Sequence, residues 1–268
     1  MSTRPAAPAI RRGYADTPYG QVHYAECGSG RPVVLLHQTP RSWDEYREVL
    51  PLLGRAHRAI AMDTLGFGAS APLAEHSIEN YAAGTIALLD ALDLPRAALV
   101  GHHTGGVVAV EVAATAPDRV ERLVLSSTPY IDAGSRSRRK ERAPIDLVAV
   151  DPDGAHLTEL WGRRQGFYPA GRPDLLTRFV RDALVLDPGE LEAGHDAVGR
   201  YRMEERAGLV RCPVLCIGAS ADPYAYPELD RLSAQLGGAE VAVIEDGMVA
   251  LMEKWHHEVA ELIARFLT

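Results

Sequence analysis

The sequence predicts an α/β fold, a mostly parallel, doubly wound sheet with a helical insertion. Three observations carry that expectation. First, short apolar runs at 33–36, 59–62, 98–100, 123–125, 214–217 and 241–244 alternate with helical patterns. Each run is almost wholly apolar and bounded by turn residues, as a parallel strand covered on both faces must be. Second, the alternation stops between 130 and 207, where no strand-like run intervenes. Third, Gly101-His102-His103-Thr104-Gly105-Gly106 joins an apolar run to an apolar helical pattern. That is the mark of a strand, a sharp turn and a helix.

Taken in order, the chain begins with a stretch at 1–13 rich in proline, alanine and arginine. It lacks the apolar core of a secretion signal and is expected to be a frayed leader. Strands near 10–15 and 20–26 should form an antiparallel hairpin around Pro18-Tyr19-Gly20. Helical patterns follow at 41–52, 77–92 and 104–116, and later at 224–236 and 253–267. The insertion opens with a charged segment at 136–142 and gives helical patterns at 155–167, 172–186 and 190–204. Open α/β sheets bind ligands outside the carboxyl ends of their strands. The expected organisation is therefore a core of 1–129 and 208–268 and a helical cap of 130–207.

Composition narrows the function classes. The 268 residues are 47% hydrophobic and 24% charged, which suits a soluble globular protein. A formal net charge of -8 argues against a nucleic-acid or anionic-membrane partner. No apolar run approaches the length of a membrane-spanning helix. The three cysteines, Cys27, Cys212 and Cys216, form no disulfide framework and no C-x-x-C motif. A cytoplasmic monomer or homodimer acting on a small molecule is the expectation.

Several segments together resemble the α/β-hydrolase superfamily with a helical cap. His37-Gln38-Thr39-Pro40 resembles its H-G-x-P turn after strand three. The segment Asp63-Thr64-Leu65-Gly66-Phe67-Gly68-Ala69-Ser70 matches its D-x-x-G-x-G-x-S pattern after strand four. The glycine-rich turn at 101–106 occupies the place of the nucleophile elbow, G-x-S-x-G, after strand five. The run ending in Gly218 and Asp222 resembles the strand that delivers the triad acid, and Gly247-Met248 falls where the family has a glycine-histidine pair. The resemblance covers Gly20 to the C-terminus. It implies the fold, but two triad members differ: His103 stands at the nucleophile position and Met248 at the catalytic histidine position. Gln38 replaces the glycine of the oxyanion turn, and Asp222 alone is as the family has it.

The chemistry must follow from those substitutions. The elbow points residue 103 into the pocket at a helix N-terminus, where positive charge is disfavoured and a neutral imidazole is expected. Neutral imidazole is a general base near neutral pH. Asp222 can orient it, through a small shift or a bridging water, or can instead cap the turn at Ala221-Asp222-Pro223. Backbone donors at Thr104 and in the Gln38-Thr39 segment can stabilise developing negative charge. Gln38 can equally be a loop residue satisfied by backbone partners.

Other residues invite functional readings beside plainer ones. His37, His102 and His103 should lie near one another, but no H-x-x-x-H or H-E-x-x-H helix motif occurs, and the resemblance implies that His37 and His102 brace loops. No metal and no cofactor is expected. Trp161, Phe167, Tyr168, Tyr201 and Met203 can wall the pocket, although such residues at helical spacing are more often core. Tyr130, just after strand six, is placed to line the pocket mouth, and Met248 to add an apolar wall. His156 and His195 sit on cap helices, where packing or solvation is the default. Arginines 163, 164, 200 and 202 could bind a substrate carboxylate, with a solvated face as the default. Ser126 and Ser127 lack a strained turn that would make either a nucleophile.

Three functions fit. The first is a cofactor-independent enzyme with His103 as general base, a lyase, cyclase, C–C cleaving enzyme or water-activating hydrolase, on a small, partly apolar carbonyl compound without an acyl-serine intermediate. The second is a catalytically degenerate small-molecule binding protein. The third is an ester hydrolase with a rearranged triad.

Overall fold

The structure, a computed structural model, describes residues 8–268. Of the expected leader at 1–13, residues 1–7 lie outside the described residues. Residues 11–13 are not frayed, because they open the first strand. That strand, β1 (Arg11–Thr17), pairs antiparallel with β2 (Gly20–Gly28), Thr17 opposite Gly20. Gly20 closes the turn at φ 102°, in the left-handed region that favours glycine.

The remaining strands are β3 (Arg31–Leu36), β4 (His57–Met62), β5 (Ala97–His102), β6 (Val120–Ser126), β7 (Val214–Ala219) and β8 (Glu240–Ile244). The sheet runs β1-β2-β4-β3-β5-β6-β7-β8. From β4 to β8 every neighbour is parallel, and β2 joins β4 antiparallel. The doubly wound sheet is therefore as the alternation predicts.

Strand periodicity divides the core in two. Val34, Leu36, Ile60, Leu99 and Leu123 face one layer, while Val33, Leu35, Ala59, Val100 and Val124 face the other. The first layer is covered by α2 (Ile78–Ala91) and α3 (Thr104–Thr115), the second by α1 (Leu50–Leu53) and α10 (His256–Leu267). Every residue of α3 from Thr104 to Ala113 is buried, which explains why its sequence is apolar on all sides except at Glu111, which accepts from Tyr201 and Arg206.

Three helical expectations needed revision. The pattern at 41–52 becomes a short 3-10 turn, Trp43–Tyr46, followed by the single turn of α1. The pattern at 224–236 becomes α8 (Leu229–Gln235), because Pro223 and Pro227 hold the preceding residues out of the helix. The pattern at 253–267 divides at Trp255 into α9 (Leu251–Lys254) and α10.

Between β6 and β7 lie α4 (Ala133–Lys140), α5 (Ala155–Gln165), α6 (Pro173–Ala183) and α7 (Ala193–Arg200). The charged segment at 136–142, for which no helix was expected, falls largely in α4. Asp132 and Ser135 start that helix with a reciprocal capping box, which offsets its poor apolar pattern. Leu160, Leu175, Leu176 and Phe179 form a small core within the inserted segment, joined by Ala250 from the loop before α9.

A buried charge cluster ties the inserted helices to the sheet. Arg41, 1% exposed, follows β3. Its Nε donates to Asp182 on α6 at 3.0 Å and its Nη1 donates to Glu253 on α9 at 2.6 Å. Removing Arg41, the cation these acids share, would leave uncompensated buried charge, at a cost of about 3–5 kcal/mol. Closer to the site, α7 meets the loop after β3 at Gly194, where a Cβ would lie 2.4 Å from Thr39 Oγ1.

Candidate active site

The turn between β5 and α3 is built by close backbone approach. A Cβ on Gly101 would lie 2.3 Å from Gly105 O, and one on Gly105 would lie 1.9 Å from Leu36 O. Glycine at both positions lets α3 pack against β3 and β5. The strain is concentrated at His103, which has φ 47° and ψ -115°. Its N–H donates to Ser126 O at 3.0 Å, and its carbonyl accepts from Gly106 and Val107 N–H groups at 3.0 and 3.2 Å. Those bonds fix the backbone, and the side chain projects over the sheet's carboxyl edge.

His103 Nε2 lies 2.8 Å from Asp222 Oδ2. No bridging water is required to span the gap. The approach is off the axis of a good hydrogen bond, and neither buried atom has another partner. Asp222 Oδ1 accepts from Tyr224 and Ala225 N–H at 2.9 and 3.2 Å. The two readings of Asp222 are thus divided between its oxygens, one holding the turn and one meeting the imidazole. Burial pushes the Asp222 carboxyl up, but the charge and contact of His103 outweigh that effect and hold it below the usual carboxylate range. Nε2 is turned onto Asp222, so Nδ1 is the ring nitrogen left without a polar contact among the described residues. In a serine triad the roles are reversed, the acid meeting Nδ1 and Nε2 serving as base.

His103 lines a cavity of about 30 Å³ with Thr39, Thr104, Val249, Tyr224 and Gln38 from the sheet side. The inserted helices and their loops contribute Arg139, Ile145, Arg164, His195 and Val198. Thr39 and Thr104 hydroxyls are hydrogen-bonded at 3.0 Å. The first N–H groups of α3, at Thr104 and Gly105, have no acceptor within their helix and sit beside His103. Gln38 requires a correction. Its backbone N–H donates to Glu45 Oε2 at 2.9 Å and its amide nitrogen to Glu45 Oε1 at 2.5 Å. It lines the cavity but is not a free backbone donor.

None of the five expected pocket residues lines this cavity. His37 is 1% exposed, with Nδ1 donating to Gln38 O at 2.7 Å and Nε2 accepting from Thr64 N–H at 3.0 Å. His102 is fully buried, bonded to Ser126 Oγ at 3.1 Å and to Val249 O at 3.0 Å. Burial pushes its imidazole down to about 4, so it braces the loop as a neutral ring. Both histidines act as loop braces because both nitrogens of each are occupied. Tyr130 lines neighbouring clefts, with the Arg231 guanidinium 5.4 Å from its ring centroid, and Pro129 faces His103 instead. Trp161 packs against the core of the inserted segment. Met248 is half-buried, and its neighbour Val249 supplies the wall.

A cluster on the inserted segment joins Arg164 and His195, for which packing or a solvated face was the default, to Asp146, which the sequence did not single out. Asp146 binds Arg164 through both oxygens, and its Oδ2 lies 2.9 Å from His195 Nε2. Arg164, 3% exposed, and His195 both face His103 across the cavity. Nothing local marks Asp146 or the meeting of the three, which come from the loop before α5, from α5 and from α7. Ser126 is engaged by His102; Ser127, contrary to expectation, has a strained backbone at φ 43°, but it is buried, and neither serine lines the cavity.

A family model described as alpha/beta hydrolase fold matches residues 31–236. The bifunctional epoxide hydrolase 2 of Sus scrofa is 32% identical over 149 residues, 54% of this chain and 26% of that protein. The 2-hydroxy-6-oxo-2,4-heptadienoate hydrolase of Pseudomonas putida is 41% identical over 105 residues, 37% of this chain and 38% of that protein. The matched segments thus span well under two thirds of these relatives. Among solved structures, a hydrolase from Pseudomonas aeruginosa PA01 superposes with a TM-score of 0.81 at 22% identity, covering 98% of this chain and 99% of that one. That likeness concerns the fold. Among the described residues no helix is long and apolar enough to cross a membrane.

Proposed function

The chain belongs to the alpha/beta hydrolase family, and from that premise we propose a cofactor-independent enzyme in which His103, rather than a serine, drives the reaction as general base. The observation that carries this reading is the pairing of His103 Nε2 with Asp222 at 2.8 Å, which leaves Nδ1 for the cavity. Residues 130–207 act as the cap that closes the cavity over the core.

The parts define a mechanism. Nδ1 takes a proton from water, and the water oxygen bonds to the electrophilic carbon of a small carbonyl compound. The oxyanion that forms is stabilised by the N–H groups at the start of α3 and the Thr39–Thr104 hydroxyl pair. Asp222 offsets the positive charge on the imidazolium. Collapse of the intermediate breaks the bond to the leaving group, which takes the proton back from Nδ1. No covalent bond to the protein forms at any stage. Proton abstraction from the substrate itself uses the same atoms and leads to elimination or C–C cleavage. The relatives support hydrolysis, since both are named as hydrolases.

A substrate panel of esters, lactones, epoxides and vinylogous 1,5-diketones tests the proposal. For any compound turned over, His103→Ala should lose about 10³-fold or more in kcat. A single turnover in H₂¹⁸O should place the solvent oxygen in the product, and intact-mass spectra should contain no covalent adduct. Full activity in His103→Ala, or an adduct on the wild-type chain, would overturn it.

A further inference from the structure

We infer that the cap holds an anion-binding subsite, built on Arg139 and Arg142, which takes a carboxylate carried by the substrate. This deepens the proposed function and rests on the same cavity. The starting observation is a contrast among the cap arginines. Arg136 donates to both oxygens of Glu204 at 2.8 and 2.5 Å, Arg138 to Glu228 at 3.1 Å, and Arg163 to Glu159 at 2.7 Å. Arg164 is held by Asp146. The guanidinium groups of Arg139 and Arg142 have neither a hydrogen bond nor an ion pair with any described residue, and the only bond between the two is from Arg142 N–H to Arg139 O at 3.2 Å.

Their position makes that lack of partners functional. Arg139 lines the cavity at His103 and also an outer chamber of about 220 Å³, which shares Ile145, His195 and Tyr224 with the inner one. Arg142 lines the outer chamber. The chamber wall includes five cationic side chains, Arg136, Arg139, Lys140, Arg142 and Arg200, against two acids, Glu192 and Asp196. Glu192 is already engaged, accepting from the N–H groups of Ile145 and Asp146 at 2.9 Å each. This excess of positive charge stands on a chain whose net charge is -8. Burial and the neighbouring Arg142 charge both push the Arg139 guanidinium down from its usual value. Two like charges beside a cavity are stabilised by an anion between them, and the guanidinium fork matches the plane of a carboxylate. The geometry sets an order along the substrate: an electrophilic carbonyl at His103, then a carboxylate at Arg139, with the outer end at Arg142.

Binding is best read without turnover, in the full-length His103→Ala chain. Isothermal titration at low salt uses succinate as probe and succinamide as its neutral counterpart. Succinate should bind saturably and succinamide should not. Arg139→Gln and, separately, Arg142→Gln should weaken succinate about tenfold or more, with circular dichroism unchanged. Arg202→Gln, which removes an exposed side chain paired with Glu205 at 3.0 Å, should leave affinity unaltered. No saturable binding of succinate, equal binding of succinamide, or unaltered affinity in both Arg139→Gln and Arg142→Gln would overturn the subsite. Those results would leave the role of His103 standing. Conversely, an active His103→Ala chain that binds succinate through Arg139 would remove the base and keep the subsite.

Discussion

Replacing Asp222 with asparagine changes one atom in the site and should invert the tautomer of His103. In the structure Asp222 Oδ1 accepts two backbone N–H groups, from Tyr224 and Ala225. Asparagine must keep its carbonyl there, because the flipped amide would leave both N–H groups facing a donor. Its NH₂ then replaces Oδ2, 2.8 Å from His103 Nε2. Nε2 must accept, so the single ring proton moves to Nδ1, and the base is lost from the cavity side. A hydrogen bond to a charged group contributes about 1.5–3 kcal/mol net. The approach is too far off axis for a formed hydrogen bond, which puts this contact below that range, at about 1 kcal/mol, a preference of about fivefold for the Nε2–H form in the wild type. Long-range ¹H–¹⁵N spectra of ring-labelled histidine report which nitrogen is protonated. The wild type should give Nε2–H for His103 and Asp222→Asn should give Nδ1–H, with kcat lower by about 10³–10⁴. The same tautomer in both proteins, or Nδ1–H in the wild type, would refute the reasoning.

Two further substitutions test how the site is supported. Glu253 is fully buried, and burial, with the neighbouring Glu45 charge adding to it against the opposing pull of Arg41, raises its carboxyl from 4.5 to about 7. The folded chain keeps that proton where the unfolded chain releases it, so the group's stabilisation is full below about 4.5 and drains away as pH rises through about 7. The loss is on the order of 3 kcal/mol. Glu253→Gln should therefore match the wild type in thermal unfolding near about pH 5 and exceed it by several degrees near about pH 8; a difference independent of pH would contradict this. Gly105→Ala places a methyl 1.9 Å from the Leu36 carbonyl oxygen, with backbone on both sides of the clash. It should cost at least about 3 kcal/mol and reduce soluble yield; a melting temperature within about 2 °C of the wild type would show that α3 can shift.

The sheet was legible because parallel strands covered on both faces leave continuous apolar runs. Gly101, Gly105 and Gly106 marked the elbow for an equally local reason, since only glycine fits those approaches. Most of what was not legible depended on contacts between segments. Glu45 takes the Gln38 N–H because a 3-10 turn replaces the expected helix at 41–52, and nothing in that pattern announces it. His195 and Asp146 meet although 49 residues separate them. The α4 helix was hidden because its stability comes from the capping box at Asp132 rather than from an apolar stripe.

The positive φ at His103 has a consequence for how such a chain changes over generations. That backbone conformation is imposed by the glycines around it and by bonds to Ser126, Gly106 and Val107, none of which involves the imidazole. A strained non-glycine position costs about 1–3 kcal/mol whatever side chain it bears. The scaffold thus meets the same cost for serine, aspartate or histidine, and presents each in the same direction. Residue 103 behaves as a socket, at which inheritance can exchange one reactive group for another while the architecture that aims it stays under separate constraint.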